Sequence, residues 1–283
     1  MNSIQKWPFR RKKLTFDMLS PTDTKESIRD FFLIRQTRLS FMLRYSRRKF
    51  SQSAFHRFRV EIKKLKAVLA VLEEESVEFS RKKTYAPIKK LYAQAGRVRE
   101  LQIEKELILS QIQANQLPEF CRRMNTEIQQ ERDSFFEIRT WKARKKAEQS
   151  LGKIAKEIEK LKKINWLPTI QTSRKRIKAL IQESIGPENA HELRIQLKLS
   201  KNALEMQGFP ALQQADPQEE ELMKLLGDWH DLEVLAQRMS PSPWAGTLPA
   251  PEKKILEKVI QTLSLQKSRL LSEIQSKAPS LLT

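Results

Sequence analysis

The stretch FHRFRVEIKKLKAVLAVLEEE, residues 55–75, decides the fold class of this chain. Its apolar residues alternate at spacings of three and four, which place them on one face of an α-helix and are typical of packing in a bundle. These residues are Phe55, Phe58, Ile62, Leu65, Leu69 and Leu72. Basic residues repeat the spacing one position later, so they lie about 100° round the helix from the apolar seam. They are His56, Arg59, Lys63 and Lys66, named the first stripe.

The same pattern occurs again in HELRIQLKLSKNALE, residues 191–205. Its basic residues stand at identical offsets and form the second stripe: His191, Arg194, Lys198 and Lys201. The apolar seam again precedes the stripe by one position, and Ser200 is its irregular member: Ala190, Leu193, Leu197, Ser200 and Leu204. Each stripe covers about 80° of a helix. The repeat predicts two halves that face one polyanion. The alternative is a pair of amphipathic helices with solvated cationic faces.

The rest of the chain also favours helices and shows no convincing strand. Glycine is scarce, at 6 residues, and helix-compatible residue types dominate. Proline suits the first turn of a helix, so Pro87, Pro118 and Pro217 are predicted to begin helices. The predicted helices lie at about 23–49, 53–76, 87–114, 118–149, 151–164, 169–184, 188–206, 217–239 and 252–277.

These elements predict an all-α protein of two bundle-like halves in pseudo-repeat. The first half is expected at about 23–150 and the second at about 151–283, with the clearest internal boundary at Asn165–Pro168. Residues 1–22 are predicted to be a basic N-terminal arm. The segment 240–251 contains four prolines and is predicted to be a loop.

The charge of the chain narrows the classes of partner. A net charge of +20 and a pI of about 10.0 favour polyanions, which include nucleic acid, inorganic polyphosphate and an anionic membrane surface. The single cysteine, Cys121, excludes an intramolecular disulfide and fits a reducing compartment. No apolar run approaches the ~20 residues of a membrane-spanning helix, and no signal peptide is recognised. We therefore expect a cytoplasmic protein without membrane insertion.

A second short motif follows each stripe. It reads AGRVRELQI at 95–103 and LGDWHDLEV at 226–234. Its paired positions are Gly96 with Gly227, Arg99 with His230, and Glu100 with Asp231. A glycine within a helix costs about 1 kcal/mol relative to alanine, so two at matched positions predict close approach of neighbouring backbones. The acid in each copy is predicted to hold a stripe cation in position, and the alternative is a surface ion pair of little energetic value.

These four motifs, in this order, resemble those of the CHAD family, the conserved-histidine α-helical domains. The resemblance covers about residues 23–277. It implies one domain of two pseudo-symmetric four-helix bundles that binds inorganic polyphosphate in a basic central groove. The binding positions that it implies are His56, Arg59, Lys63, Lys64, Lys66, His191, Arg194, Lys198 and Lys201. Supporting positions are Gly96, Arg99, Glu100, Gly227, His230 and Asp231. A cytoplasmic location associated with polyphosphate granules fits this ligand.

Three other classes of function remain open from the sequence. Weaker nucleic-acid binding fits the charge, although aromatic residues make up 7% of the chain and few interleave with the stripes. A metal-dependent phosphohydrolase would use His56, His191, Glu100 and Asp231 as metal ligands. Neighbouring cations disfavour a metal there, and no phosphate loop or nucleophile motif is present. A structural or membrane-surface role would need only net charge. No cofactor and no metal are expected, and the oligomeric state is not determined by the sequence.

Overall fold

The computed structural model describes residues 24–162, 166–206, 217–239 and 248–282. These residues form nine α-helices and no strand, which confirms the all-α prediction. The helices are α1 (Thr24–Leu43), α2 (Gln52–Glu75), α3 (Arg81–Leu109), α4 (Pro118–Ile138), α5 (Trp141–Lys160), α6 (Trp166–Gln182), α7 (Pro187–Met206), α8 (Pro217–Arg238) and α9 (Ala250–Lys277). The predicted arm at 1–22 and most of the predicted loop at 240–251 lie outside the described residues. Across the described ranges, no helix is long and apolar enough to cross a bilayer.

The two stripe helices pack through the seams that the sequence predicts. Every seam residue of α2 is fully buried: Phe55, Phe58, Ile62, Leu65, Leu69 and Leu72. In α7, Ala190, Leu193 and Leu197 are buried, and Ser200 continues this face at 3% exposure. Leu204 is half-buried instead. Because the stripes lie beside these seams, packing of the seams directs the basic residues toward the edge of each helix.

The prediction that Pro87 begins a helix is wrong. Helix α3 begins at Arg81 because the side chain of Ser80 accepts a hydrogen bond from the backbone N–H of Lys83 at 3.4 Å. Pro87 therefore lies inside the helix, where its missing N–H removes one backbone hydrogen bond without ending the element.

The prediction of one helix over 118–149 is also wrong. The chain breaks between α4 and α5, where Thr140 accepts a hydrogen bond from the backbone N–H of Ala143 at 3.1 Å. The guanidinium group of Arg139 donates to the carbonyl oxygens of Met42, Leu43 and Tyr45 at 3.3, 3.1 and 2.7 Å. Met42 and Leu43 lie in the last turn of α1 and Tyr45 follows it, where carbonyl oxygens lack the partners that the helix interior provides. The break thus places an arginine as a cap on a distant helix.

Two apolar cores correspond to the two halves. Helices α1, α2, α3 and α5 share the first core with Phe135 of α4 and with Ala203 and Met206 at the end of α7, and α6, α7, α8 and α9 share the second. Residues Ala147, Leu151, Ile154 and Ile158 of α5 all belong to the first core. A division of the halves near residue 150 falls inside α5, whereas this packing groups the whole of α5 with the first half.

A third apolar core joins the halves. It combines residues of α3 and α4, such as Leu101 and Phe120, with residues of α8 and α9, such as Leu232 and Leu256. Beside it, the carboxylate of Glu252 on α9 accepts hydrogen bonds from the backbone N–H groups of Glu119 and Phe120 at 3.0 and 2.9 Å. Glu252 is 6% exposed and satisfies the first donors of α4, which belongs to the other half. The halves are therefore one packed unit.

Candidate functional site

Helices α2 and α7 place the two stripes on one cavity of about 1000 Å³, named the central cavity. Helices α3 and α8 contribute the remaining walls, so both halves of the chain surround the same space. Most of the residues predicted from the sequence line it: His56, Arg59, Lys63, Lys64, Arg99, Glu100, Arg194, Lys198, Lys201, His230 and Asp231.

Four predicted residues do not line the cavity: Lys66, His191, Gly96 and Gly227. The Lys66 ammonium lies 4.1 Å from the ring centroid of Tyr92 and 5.0 Å from that of Tyr85, an arrangement typical of cation–π contacts. The ring of His191 packs against that of His230, with centroids 4.9 Å apart. His191 therefore contacts a residue of the cavity wall from outside.

Three cations from the two halves line the cavity and perturb one another electrostatically, and we name Lys63, Arg194 and Lys198 the central cations. Among the described residues, none of them has a carboxylate oxygen within 4.0 Å. Partial desolvation lowers the pKa of Lys63 to about 8, and repulsion from Lys198, Arg59 and Arg194 acts in the same direction. Desolvation and then Arg194 lower the pKa of Lys198 to about 8. The central cations thus repel one another across the interface between the halves.

The guanidinium group of Arg194 also has an unsatisfied hydrogen-bond donor. Its Nε atom is buried and has no hydrogen-bond partner in the described part of the chain. Burial lowers the pKa of Arg194, and the nearby carboxylate of Asp231 opposes that effect. Burial also raises the pKa of Asp231. A buried guanidinium N–H without an acceptor is costly in a ligand-free protein and is a ready donor to an anionic oxygen.

Two histidines that line the cavity carry little charge near pH 7. Burial, followed by repulsion from Arg194, lowers the pKa of His230 to about 4. Burial and then Arg99 lower the pKa of His56. Both imidazoles are therefore mainly neutral near pH 7, whereas Lys63 and Lys198, with pKa values of about 8, lose their charge just above neutrality.

Most of the other cavity cations are paired with acids, and Lys224 is the exception among the described lining residues. Lys64 lies 2.6 Å from Glu205, Lys201 lies 3.1 Å from Glu220, and Arg99 lies 3.2 Å from Glu106. Arg238 contacts both Glu104 and Glu127 at 2.6 Å. The described lining of the cavity therefore combines cations without an ion-pair partner, which are the central cations and Lys224, with cations held in ion pairs.

Arg59 is held by the second motif of its own half. Its guanidinium lies 3.9 Å from Glu100, donates to the carbonyl of Tyr92 at 3.4 Å and stands 4.9 Å above the Tyr92 ring. A Cβ at Gly96 would clash with Nη1 of Arg59 and lie 3.2 Å from its Cζ. The predicted close approach thus involves a side chain and not a neighbouring backbone. At Gly227 the prediction of close approach is wrong, because a Cβ there meets nothing within 4 Å.

This difference makes the two glycines a matched pair for mutagenesis. In Gly96→Ala we expect anion affinity to fall about 3–10-fold, because the new methyl group displaces the Arg59 guanidinium and a charge-assisted contact is worth about 1.5–3 kcal/mol when complete. In Gly227→Ala we expect unchanged affinity and a melting temperature raised by about 2–4 °C, since alanine gains about 1 kcal/mol of helix propensity. Titration and thermal melts of both variants check this, and equal affinities would contradict it.

Several acids and two cations of the wall, Lys224 and Arg238, were not predicted from the sequence. Glu205, Glu220, Glu104 and Arg238 all line the cavity. A signal was available on α8, where Glu220, Lys224, Asp231 and Arg238 recur at spacings of four and seven and therefore share a face with the second motif. No comparable signal marked Glu205, because its partner Lys64 is 141 residues away in the sequence.

Two chemical features of the cavity bear on the other classes of function. Among the described residues, no group of three or more His, Cys, Asp or Glu side chains is placed to hold a metal ion, so His56, His191, Glu100 and Asp231 do not assemble the metal site considered from the sequence. The described lining also contains no Phe, Tyr or Trp. Tyr92 lies under Arg59 and Lys66 and is not an open platform for a base.

The fold and the cavity define a class of all-α proteins in which two pseudo-symmetric helical bundles enclose a cationic cavity. Comparison with known proteins agrees with this description. A family model described as CHAD domain matches residues 44–240, so the chain belongs to the CHAD family. The crystal structure of the CHAD domain from the plant Ricinus communis is similar, with a TM-score of 0.73 at 17% sequence identity and coverage of 96% of each chain. No curated protein gives a significant match.

Proposed function

We propose that the central cavity binds inorganic polyphosphate. The observation that carries this proposal is the set of central cations, which come from both halves and have no acidic partner within 4.0 Å among the described residues. Asp231 offsets part of their charge, but three cations without a close ion pair in a shared cavity stabilise an anion that brings several charges to them at once. Membership in the CHAD family supports the same ligand.

The length of the site favours a chain over a single phosphate. From Arg194 to Lys201 the second stripe extends about 10 Å along α7, at a rise of 1.5 Å per residue. The first stripe adds Arg59 and Lys63 from α2, which belongs to the other half of the chain. A linear anion with regularly repeated charges matches this arrangement, and its phosphates need no aromatic surface.

Nucleic acid is expected to bind more weakly. Single-strand binders combine a cationic channel with aromatic side chains on which bases stack, at about 1–3 kcal/mol per base. The described lining lacks Phe, Tyr and Trp, so the electrostatic contribution would act alone. Association with polyphosphate granules in the cytoplasm fits the preferred ligand.

Competition binding tests the proposal. Labelled long-chain polyphosphate would be displaced with unlabelled polyphosphate, single-stranded DNA, RNA and heparin, each matched for charge and measured at several salt concentrations. Loose phosphate contacts weaken steeply with salt, so we expect polyphosphate to be retained selectively at ~0.15–0.3 M. Equal displacement by every polyanion would contradict the proposal.

The same preparation distinguishes binding from hydrolysis. Polyphosphate incubated with the protein and Mg²⁺ or Mn²⁺ is expected to keep its chain length. Release of phosphate that is lost in His191→Ala would assign a metal-dependent phosphohydrolase instead.

A further inference from the structure

Some cations of the second stripe already form an ion pair with an acid of the protein, and others do not. Arg194 and Lys198 have no acidic partner within 4.0 Å in the described part of the chain, whereas the Lys201 Nζ lies 3.1 Å from Oε1 of Glu220. Glu220 is in the first turn of α8 and lines the central cavity together with Lys201. Lys201, at the C-terminal end of the second stripe, is thus already paired with a carboxylate of the protein itself.

This ion pair is accessible to an incoming anion. The side chains of Lys201 and Glu220 are 31% and 51% exposed, and an ion pair so open to water contributes little to stability. The Lys64–Glu205 pair is different, because Glu205 is 9% exposed and also lies 3.9 Å from the buried Arg35. A phosphate oxygen that reaches Lys201 therefore replaces Glu220 more easily than it replaces Glu205.

We propose that Glu220 is a built-in competitor that sets the selectivity of the cavity for long anions. The inference rests on the proposed function, since it concerns the same cavity. A short anion binds at the central cations and leaves the Lys201–Glu220 pair intact. A chain that extends about 10 Å along α7 reaches Lys201 and displaces the carboxylate.

Glu220→Gln tests this directly because glutamine keeps the shape of the side chain and removes its charge. We expect affinity for long-chain polyphosphate to rise about 3–10-fold at ~0.1 M salt, because Lys201 is released and local repulsion disappears. Orthophosphate affinity should change less than two-fold. The charges that perturb the pKa values of Lys63, Arg194 and Lys198 come from other residues and not from Glu220, so its removal changes little at the central cations.

The adjacent residue supplies a matched control. Glu221 pairs with Lys277 at 2.6 Å and does not line the cavity, so Glu221→Gln makes the same change of net charge on the same helix. We expect its affinity for long chains to stay within two-fold of the wild type. Lys201→Gln provides a second control, because a gain caused by release of Lys201 should be lost when Glu220→Gln is made in that background.

Calorimetric titration of the full chain with orthophosphate, tripolyphosphate and long-chain polyphosphate, for the wild type and these variants, distinguishes the outcomes. A gain confined to Glu220→Gln and to long chains supports the inference. Equal gains in Glu220→Gln and Glu221→Gln, a gain that persists with Lys201→Gln, or no gain at all would overturn it and leave the proposed function standing. A wild-type protein that does not bind polyphosphate would overturn both.

Discussion

Arg194→Glu is expected to weaken polyphosphate binding by at least about 100-fold. A charge-assisted hydrogen bond contributes about 1.5–3 kcal/mol, and 1.4 kcal/mol corresponds to a tenfold change in affinity. The substitution removes that contact and places a negative charge beside Lys63 and Lys198, which are its electrostatic neighbours in the cavity. The buried and unpartnered Nε of Arg194 makes this position the most sensitive of the second stripe. Titration with long-chain polyphosphate measures the effect.

Three further variants test whether the loss is specific to the cavity. Arg194→Gln removes the charge without reversing it and should cost about tenfold, which separates loss of a contact from repulsion. Lys153→Glu makes the same reversal on an exposed residue of α5 outside the cavity, and we expect less than a twofold effect. Arg59→Glu should resemble Arg194→Glu. Comparable losses at residues 153 and 194 would mean that net charge alone attracts the ligand.

Polyphosphate affinity is expected to fall by about tenfold or more between pH 7 and pH 9.5. Lys63 and Lys198 have pKa values of about 8 in the ligand-free protein. A bound anion favours the protonated lysines and raises both pKa values, so affinity is highest below pH 8 and declines as the pH rises through that value. Internal phosphates of a long chain stay ionised throughout. Binding at pH 8–9 should therefore take up protons, which calorimetry in buffers of different ionisation enthalpy detects.

Arginine substitutions supply the control for this pH dependence. Lys63→Arg and Lys198→Arg keep their charge at every pH used, so the double variant should show a much flatter profile. Stability should follow the opposite sign. The folded pKa values lie below the usual value of 10.5, so these two lysines oppose folding below about pH 8, and that penalty is relieved as the pH rises from 8 to 10.5. A wild-type affinity that is flat from pH 7 to 9.5 would contradict the assignment.

Much of the fold was predictable because helical periodicity is a local property. The seams of α2 and α7 were readable from single stretches, and their burial placed both stripes at helix edges. Proline at residues 118 and 217 correctly predicted the starts of α4 and α8. Errors arose where a contact distant in sequence decides the boundary. The break after α4 positions Arg139 on carbonyls that are 94–97 residues away along the chain, and no local pattern encodes that.

The composition of the site was predictable to a similar extent. The stripes and second motifs named most of the cavity-lining cations, because repeated spacing marks a shared face. Which cations are free and which are paired was not predictable. The acid that pairs with Lys64 lies 141 residues later, and the acid that pairs with Lys201 lies on the next helix. Lys66 belongs to the first stripe by spacing, but its ammonium is drawn to the rings of Tyr85 and Tyr92.

The third apolar core has a consequence for the kinetics of binding. Packing of α3 and α4 against α8 and α9 fixes the separation of the cavity walls, because densely packed cores deform little. A ligand therefore meets a cavity that is already open and need not wait for a rearrangement. We expect association rates near the limit set by electrostatic steering, falling steeply with ionic strength. Substitutions within the cavity would then act chiefly by shortening the residence time of the bound chain.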